Sequence, residues 1–309
     1  MINRNLIRIK VVQMAYSYFL TESERTVIDA KNELEKSLDK SYELYNALLV
    51  LAIELTQLQD QKLDAAKHKY LPTEEDLNPN TRFIENQLVE KLKSNESLNS
   101  YLSDNPISWF EHDIFMKNML DKITSSDIYT DYMEMPMTDF KSDCALWRAL
   151  FKKVIFVDED FLELLESESV FWNDDLDTVG NFAIKTIKRI EDGITETLMP
   201  MYKDTIDSEY APTLFAHAVK FKNEYNELID KFVQKDSWDA ERLAFMDRAI
   251  MVVAISELVK FPDIPTTVTL NEYIEIAKYY STNKSGQFIN GMLHSIINHL
   301  KSEGKLFKN

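Results

Sequence analysis

Two arginines near the amino terminus have the spacing of a phosphate-binding pair. Arg4 and Arg8 are four residues apart, so a helix places both guanidinium groups on one face, one turn apart. Each guanidinium group presents a planar fork of N–H donors that matches the geometry of a phosphate. Lys10 adds a third cation on another side of the same segment. The alternative interpretation is a solvated cationic face, which is common on helices of any function.

A second candidate phosphate site is the turn before the last predicted helix. A helix start presents free N–H groups and the positive end of the helix dipole, and both favour an anion. The turn also supplies polar side chains, a cation and an aromatic ring that can stack on an unpaired base. These residues are Asn283, Lys284, Ser285, Gln287 and Phe288. The alternatives are an ordinary N-cap turn and, for Phe288, a position in the core.

The other chemistry-bearing side chains form no catalytic or metal-binding pattern. His294 and His299 are five residues apart, which sets them about 140° apart around a helix, so they do not share a face. The acids between residues 158 and 166 are typical of a solvated helix face, and Cys144 of a small buried group. A single cysteine excludes an internal disulfide. Because no phosphate loop or nucleophile elbow occurs either, we predict a protein that is not an enzyme, with no metal and no cofactor.

Helices must position these residues, because the chain has few residues that break helices. It contains only 5 glycines and 8 prolines in 309 residues, and 45% of its residues are hydrophobic. We therefore predict an all-α fold with a substantial core. In residues 3–20, helical spacing puts Leu6, Ile9, Gln13, Tyr16 and Leu20 on one apolar stripe. The other predicted helices span residues 25–70, 212–233, 242–259, from Thr269 or Asn271 to 280, and 285–300, and Gly291 is predicted to let two helices touch.

The net charge of −17 is unevenly distributed. Residues 1–20 carry +3 and residues 215–309 are neutral, so the residues between them carry −20. Screening limits the reach of that acidity to a Debye length of about 8 Å in physiological salt. A basic amino-terminal segment can therefore still bind phosphates. We find neither a secretory signal nor an apolar run long enough to cross a membrane, and we expect a cytoplasmic protein.

The last third of the chain resembles the NusB family. The blocks AERLAFMDRAIMVVAISEL, FPDIPTTVTLNEYIEIAKYY and STNKSGQFINGMLHSI follow the family's pattern in order and spacing, and RNLIRIKVVQMAYSYFL is similar to its arginine-rich first helix. The resemblance covers residues 1–20 and 208–309, and it implies a NusB-like helical bundle as the core. Residues 21–207 have no counterpart in short family members. We predict that they form an acidic helical insertion that packs on this core.

The resemblance also implies a function. Family members pair with the ribosomal protein NusE, bind single-stranded boxA RNA of ribosomal RNA leader transcripts, and act in the antitermination complex of RNA polymerase. It implies that Arg4, Arg8 and Lys284 bind RNA, and that Tyr16 and Asp247 face NusE. The family pattern has basic residues at four positions of the first helix, of which this chain keeps two, whereas Lys284 replaces a frequent acid. We hypothesise that Lys284 offsets the loss.

Two alternatives remain at this point. The thinned arginine cluster and the net charge fit a protein-interaction module of the same fold that has lost most RNA binding. Tyr16 also fits a core aromatic residue, and Asp247 fits an ion pair with Arg248 or Arg242. The sequence leaves open the role of residues 21–207, the RNA preference, and whether the chain self-associates without NusE.

Overall fold

The structure is a computed structural model that describes residues 2–21, 24–194, 198–235, 243–282 and 284–308. Every element in these ranges is helical, and no β-strand occurs in them, which confirms the predicted all-α class. Within the same ranges, no helix combines the length and the apolarity needed to cross a bilayer.

Fifteen α-helices and two short helical turns follow one another in the described ranges. In chain order they are α1 (Arg4–Leu20), α2 (Val27–Lys67), α3 (Glu74–Leu77), α4 (Gln87–Lys93), α5 (Glu96–Asp104), a 3-10 turn (Trp109–His112), α6 (Asp113–Thr124), α7 (Asp127–Glu134), α8 (Phe140–Leu150), a π-helical turn (Phe151–Ile155), α9 (Glu159–Glu168), α10 (Leu176–Glu191), α11 (Thr205–Lys220), α12 (Lys222–Lys235), α13 (Phe245–Lys260), α14 (Thr266–Tyr280) and α15 (Ser285–Ser302).

The chain divides into two compact units. The first unit contains residues 40–201, and the second contains residues 2–39 and 202–309. The second unit thus joins the amino-terminal helix to the last third of the chain. The packing of an insertion spanning residues 21–207 on the remainder stays a prediction.

Helix α1 is enclosed in the second unit, where it packs against α11 and α13. Ten of its residues are buried, on nearly all sides of the helix. The residues of the predicted stripe differ in burial: Leu6 is 1% exposed, Ile9, Gln13 and Tyr16 are half-buried, and Leu20 is 57% exposed. A helix covered by several neighbours has apolar residues around most of its circumference, so spacing alone does not identify its buried positions.

The predicted helix 212–233 is two helices in the structure. Helix α11 starts earlier, where the side chain of Asp204 accepts a hydrogen bond from the Asp207 N–H at 2.9 Å. Pro212 lies inside it rather than at its start. The backbone then turns at Phe221, whose N–H bonds to the carbonyl of His217, and α12 begins at the next residue. The ring of Phe221 contacts those of His217 and Tyr225 on either side of this break between α11 and α12.

Aromatic side chains contribute to the core of the first unit. The ring of Trp109 contacts Phe115 and Phe161, and its indole N–H donates to the carbonyl of Ala47 at 2.8 Å. The buried carboxylate of Glu54 accepts hydrogen bonds from the Trp109 N–H and from the Ser108 hydroxyl. Burial raises the pKa of Glu54, although these bonds oppose the shift.

A buried carboxylate also connects three short helices of the first unit. Asp143 on α8 is 2% exposed. Its Oδ2 accepts a hydrogen bond from the N–H of Gln87, the first residue of α4, at 2.8 Å. Its Oδ1 accepts one from the hydroxyl of Tyr132 on α7 at 2.7 Å. Burial, and then the neighbouring Asp143, raise the pKa of that hydroxyl, so Tyr132 remains a donor.

One glycine allows a close contact in the first unit. A Cβ atom added to Gly180 on α10 would lie 2.6 Å from Cε2 of Phe156, so the ring would have to move. We expect Gly180→Ala to lower the free energy of unfolding by up to about 2 kcal/mol, because overpacking costs about 1–3 kcal/mol and helix propensity returns roughly 1 kcal/mol of it. Urea unfolding followed by tryptophan fluorescence measures the difference.

Gly291 provides the matched control. The prediction that it lets two helices touch was wrong, since it is exposed on α15 and a Cβ atom there meets nothing within 4 Å. Gly291→Ala is therefore expected to stabilise the second unit by up to about 1 kcal/mol through helix propensity alone. If both variants changed stability in the same direction, the steric explanation for Gly180 would be refuted.

Candidate functional site

Arg4 lies at the start of α1 and retains a surface. Helix α1 begins after Asn3, whose side chain accepts a hydrogen bond from the N–H of Leu6 at 2.9 Å. The Arg4 side chain is 39% exposed, and its Nε donates to Oδ1 of Asp207 at 2.9 Å. Its guanidinium group also covers the ring of Tyr210, 5.3 Å from the centroid. The exposed part of the group is free to meet solvent, but Asp207 neutralises some of its charge.

Arg8 is buried in an ion pair instead of facing solvent. Its Nε and Nη2 donate to the two carboxylate oxygens of Glu257 at 2.7 and 3.1 Å. The two side chains are 4% and 0% exposed. Because the guanidinium group is enclosed and faces two carboxylates, those of Glu257 and Glu272, it presents no surface to a phosphate in this conformation. Lys10 is likewise only 3% exposed. The predicted RNA contacts of Arg8 and Lys10 therefore lack support from the structure.

Glu257 organises four helices through its hydrogen bonds. Besides Arg8 on α1, it accepts bonds from the hydroxyls of Tyr210 on α11 and of Thr269 and Tyr273 on α14. Burial, followed by the charge of Glu257, raises the pKa of both tyrosines, so their hydroxyls stay protonated. Sequence reasoning missed this residue, although a lone acid in the apolar run of α13 was a signal for it.

The turn before α15 leaves one cation on the surface. Lys284 is the N-cap residue of α15, its side chain is exposed, and no described carboxylate pairs with it. Gln287 is exposed and Phe288 is half-buried. Asn283 lies outside the described residues. The structure thus places Lys284 and Gln287 where a ligand at the helix start would meet them.

Ser285 and Asp247 are structural partners of each other in this turn. Ser285 is 2% exposed, and its hydroxyl donates to Oδ2 of Asp247 at 2.9 Å. Asp247 is 5% exposed, and its Oδ1 has no hydrogen-bond partner among the described residues. The alternative partner Arg248 pairs with Asp230 at 2.8 Å instead, and Arg242 lies outside the described residues. These bonds leave little of Ser285 or Asp247 for RNA or a protein partner to touch.

Tyr16 contacts the first residue of α13, the helix that carries Asp247. Its ring meets Phe245, two residues before Asp247, edge-on at 5.4 Å. It is half-buried, and Phe245 is 39% exposed. The two rings therefore form a partly exposed aromatic pair, so Tyr16 does not occupy a closed core position.

A hydrogen bond joins α1 to the last residue of α14. Gln13 of α1 bonds to the hydroxyl of Tyr280, the last residue of α14, at 3.4 Å. Arg4 lies about 13 Å along the helix axis from Gln13, whereas Lys284 follows Tyr280 by four residues. Helix α1 therefore meets the end of α14 near Gln13 rather than near Arg4.

The other candidate groups are occupied by local contacts. Nε2 of His299 lies 3.1 Å from the carboxylate of Glu303. In the acidic segment, Asp158 and Asp160 share the ammonium group of Lys122, each at 2.6 Å. Burial raises the pKa of the Cys144 thiol to about 12. In the part of the chain that is described, no group of three histidine, cysteine or acidic residues is arranged to hold a metal ion.

Comparison with known proteins gives one family. The model of the NusB family matches residues 178–298. The transcription antitermination protein NusB of Salinibacter ruber is 38% identical over 110 residues, which are 36% of this chain and 68% of that protein. The chain belongs to the NusB family. The protein of the same name from Chloroherpeton thalassium is 45% identical over 82 residues, or 26% of this chain and 39% of the relative. The protein of the same name from Natranaerobius thermophilus is 38% identical over 92 residues, which are 30% of this chain and 65% of the relative.

The NusB match and the geometry together rank the candidate residues. The matched range begins inside α10 and includes α11 to α14, the Lys284 turn and most of α15. It leaves α1 outside, so the roles of Arg4 and Tyr16 depend on the packing of α1 against α11 and α13. Within the NusB match, Lys284 is the candidate that is charged, exposed and unpaired.

Proposed function

We propose that this chain is an antitermination factor that binds RNA and pairs with NusE. Its relatives bear the name transcription antitermination protein NusB. The observation that supports RNA binding best is Lys284, an exposed cation at the first turn of an 18-residue helix, without a described acidic partner. The N–H groups at that helix start add to its attraction for a phosphate. Gln287 and Phe288, in the same turn, supply an amide and an aromatic ring.

The proposed RNA surface differs from the sequence-based one. Lys284, Gln287 and Phe288 form its main patch, and Arg4 forms a second, weaker one. Arg8 is left out because its ion pair with Glu257 holds it inside the unit. With so few exposed cations, few phosphates are neutralised, and affinity should fall less steeply with salt than for an arginine-rich surface.

The partner surface of the proposal centres on the exposed edge of Tyr16 and Phe245. Aromatic residues at a half-exposed position are enriched in protein interfaces. Asp247 acts there through Ser285, because their hydrogen bond fixes the turn that follows α14. NusE would thus meet a surface next to the Lys284 patch, which fits RNA binding by the pair rather than by this chain alone.

A charge reversal at Lys284 tests the RNA contact. We expect Lys284→Glu to weaken binding of a boxA-like RNA by about tenfold in the presence of NusE, and to reduce the salt slope by about 1, as for one lost phosphate contact. Fluorescence anisotropy titrations at two salt concentrations measure both quantities. Lys301→Glu is the matched control, since it reverses an exposed lysine at the other end of α15.

The outcome also decides between the two functions. Equal RNA affinity and equal salt slopes for Lys284→Glu, Lys301→Glu and the unmodified chain would contradict the RNA contact. If the chain then still bound NusE, it would be the interaction module without RNA binding. The burial of Arg8 and Lys10 is the observation that favours this second function.

A further inference from the structure

The second unit contains a cationic pocket whose lining includes none of the candidate RNA-binding or partner-binding residues. Its volume is about 550 Å³, and α2, α11, the Phe221 turn and the end of α13 supply its lining. Three lysines line it, Lys31, Lys220 and Lys260. No carboxylate occurs among the described lining residues, and no described carboxylate pairs with any of the three lysines. In a chain of net charge −17, such a concentration of unpaired cations indicates an anion site.

An aromatic wall adjoins these cations. The rings of His217 and Phe221, which both line the pocket, lie 4.6 Å apart, and the ammonium group of Lys220 lies over the Phe221 ring at 5.1 Å. Nδ1 of His217 is buried and has no hydrogen-bond partner among the described residues. Burial, and then the charges of Lys260 and Lys220, lower the pKa of His217, so the ring is neutral at neutral pH. A polar atom without a partner therefore accompanies the three lysines and the two rings.

We propose that this pocket binds a nucleotide with two phosphates. Three lysines match the charge of about −3 that a nucleoside diphosphate carries at neutral pH, and lysine is a common point-charge ligand for phosphate. The His217–Phe221 wall offers a surface for the base, since aromatic side chains stack on any base. The volume lies within the usual range of ligand sites, about 300–1,000 Å³. This site is independent of RNA binding at the Lys284 patch.

Calorimetric titration of the full chain with ADP tests the proposal. We expect ADP to bind, and Lys220→Gln/Lys260→Gln to weaken its binding at least tenfold. Lys152→Gln/Lys153→Gln is the matched control, because it removes two exposed lysines from the first unit. We expect the control to keep its affinity within about twofold. Thermal unfolding of both double variants confirms that each is folded.

Two further titrations separate a nucleotide site from other anion sites. Phe221→Leu should weaken ADP binding several-fold while leaving inorganic pyrophosphate unaffected, because only the nucleotide carries a base. The imidazole signals of His217 should shift on addition of ADP. Absence of ADP binding at millimolar concentration, equal losses in the pocket and control variants, or pyrophosphate binding as tight as ADP would overturn the proposal. Displacement of ADP by single-stranded RNA would overturn it as well, since the pocket would then belong to the RNA path.

Discussion

Replacing Arg8 with leucine is expected to lower the free energy of unfolding of the second unit by about 3–5 kcal/mol, the cost of leaving one buried charge without its partner. Glu257 is fully buried, and Arg8 supplies two of its hydrogen bonds and its neutralising charge. The hydroxyl donors that would remain, Tyr210, Thr269 and Tyr273, cannot neutralise a carboxylate. The expected loss is therefore electrostatic more than steric.

Hydrogen exchange of amides in α1 and α13 measures this loss in the second unit alone, since it reports opening locally. Arg4→Leu is the matched control one helical turn away. Its ion pair with Asp207 is partly exposed and is expected to contribute about 0–1 kcal/mol. Equal losses of stability for Arg8→Leu and Arg4→Leu would show that the buried ion pair contributes no more to stability than the exposed one.

A double variant isolates the charge. Arg8→Leu/Glu257→Gln removes the uncompensated carboxylate while the glutamine oxygen still accepts a hydrogen bond from the surrounding hydroxyls. We expect it to recover part of the stability lost in Arg8→Leu. Further destabilisation by the second substitution would contradict the assignment of the loss to an unpaired charge.

The second large effect is expected in the first unit, where Asp143→Ala should cost about 2–4 kcal/mol. The substitution removes the nearest acceptor of the buried Tyr132 hydroxyl, which keeps only the Arg82 carbonyl at 3.5 Å, and it removes the acceptor of the part-buried Gln87 N–H. A buried group left unpaired costs about 1–3 kcal/mol. It also removes the connection between α4, α7 and α8. Urea unfolding followed by tryptophan fluorescence measures the change, since Trp109, Trp147 and Trp172 lie in this unit.

Two controls accompany this prediction. Asp139→Ala removes an exposed carboxylate that caps the same helix α8, and it should cost only about 0.5–2 kcal/mol. Tyr132→Phe removes the hydroxyl and so breaks the same hydrogen bond as Asp143→Ala. The double variant Tyr132→Phe/Asp143→Ala should therefore lose less stability than the sum of the losses of the two single variants. Strict additivity would mean that Tyr132 and Asp143 do not interact.

The sequence predicted α1, α2 and the helical segments of the last third of the chain, with several of their ends. Helix α1 was expected at residues 3–20 and spans Arg4–Leu20, and α2 was expected at 25–70 and spans Val27–Lys67. These predictions succeeded because the apolar periodicity is long and the helix-breaking residues are few. The break at Phe221 was missed because contacts with His217 and Tyr225, rather than glycine or proline, accompany it.

The sequence predicted which residue types form the candidate site, but it did not predict which of these side chains are exposed. Arg4 and Arg8 have the same chemistry and stand one turn apart, yet only Arg4 keeps an exposed side chain. What separates them is Glu257, which lies 249 residues after Arg8. A helical pattern carries no information about a charge that distant in the chain. For the same reason, the sequence did not predict the hydrogen bond between Ser285 and Asp247.

The long sequence separation of the Arg8–Glu257 pair has a consequence for synthesis on the ribosome. At about 5–20 residues per second, α1 leaves the ribosome roughly 12–50 s before the carboxylate that neutralises its guanidinium group has been translated. During that delay the apolar surface of α1 has neither α11 nor α13 to cover it. A translation pause within residues 21–207 would prolong this exposure of α1.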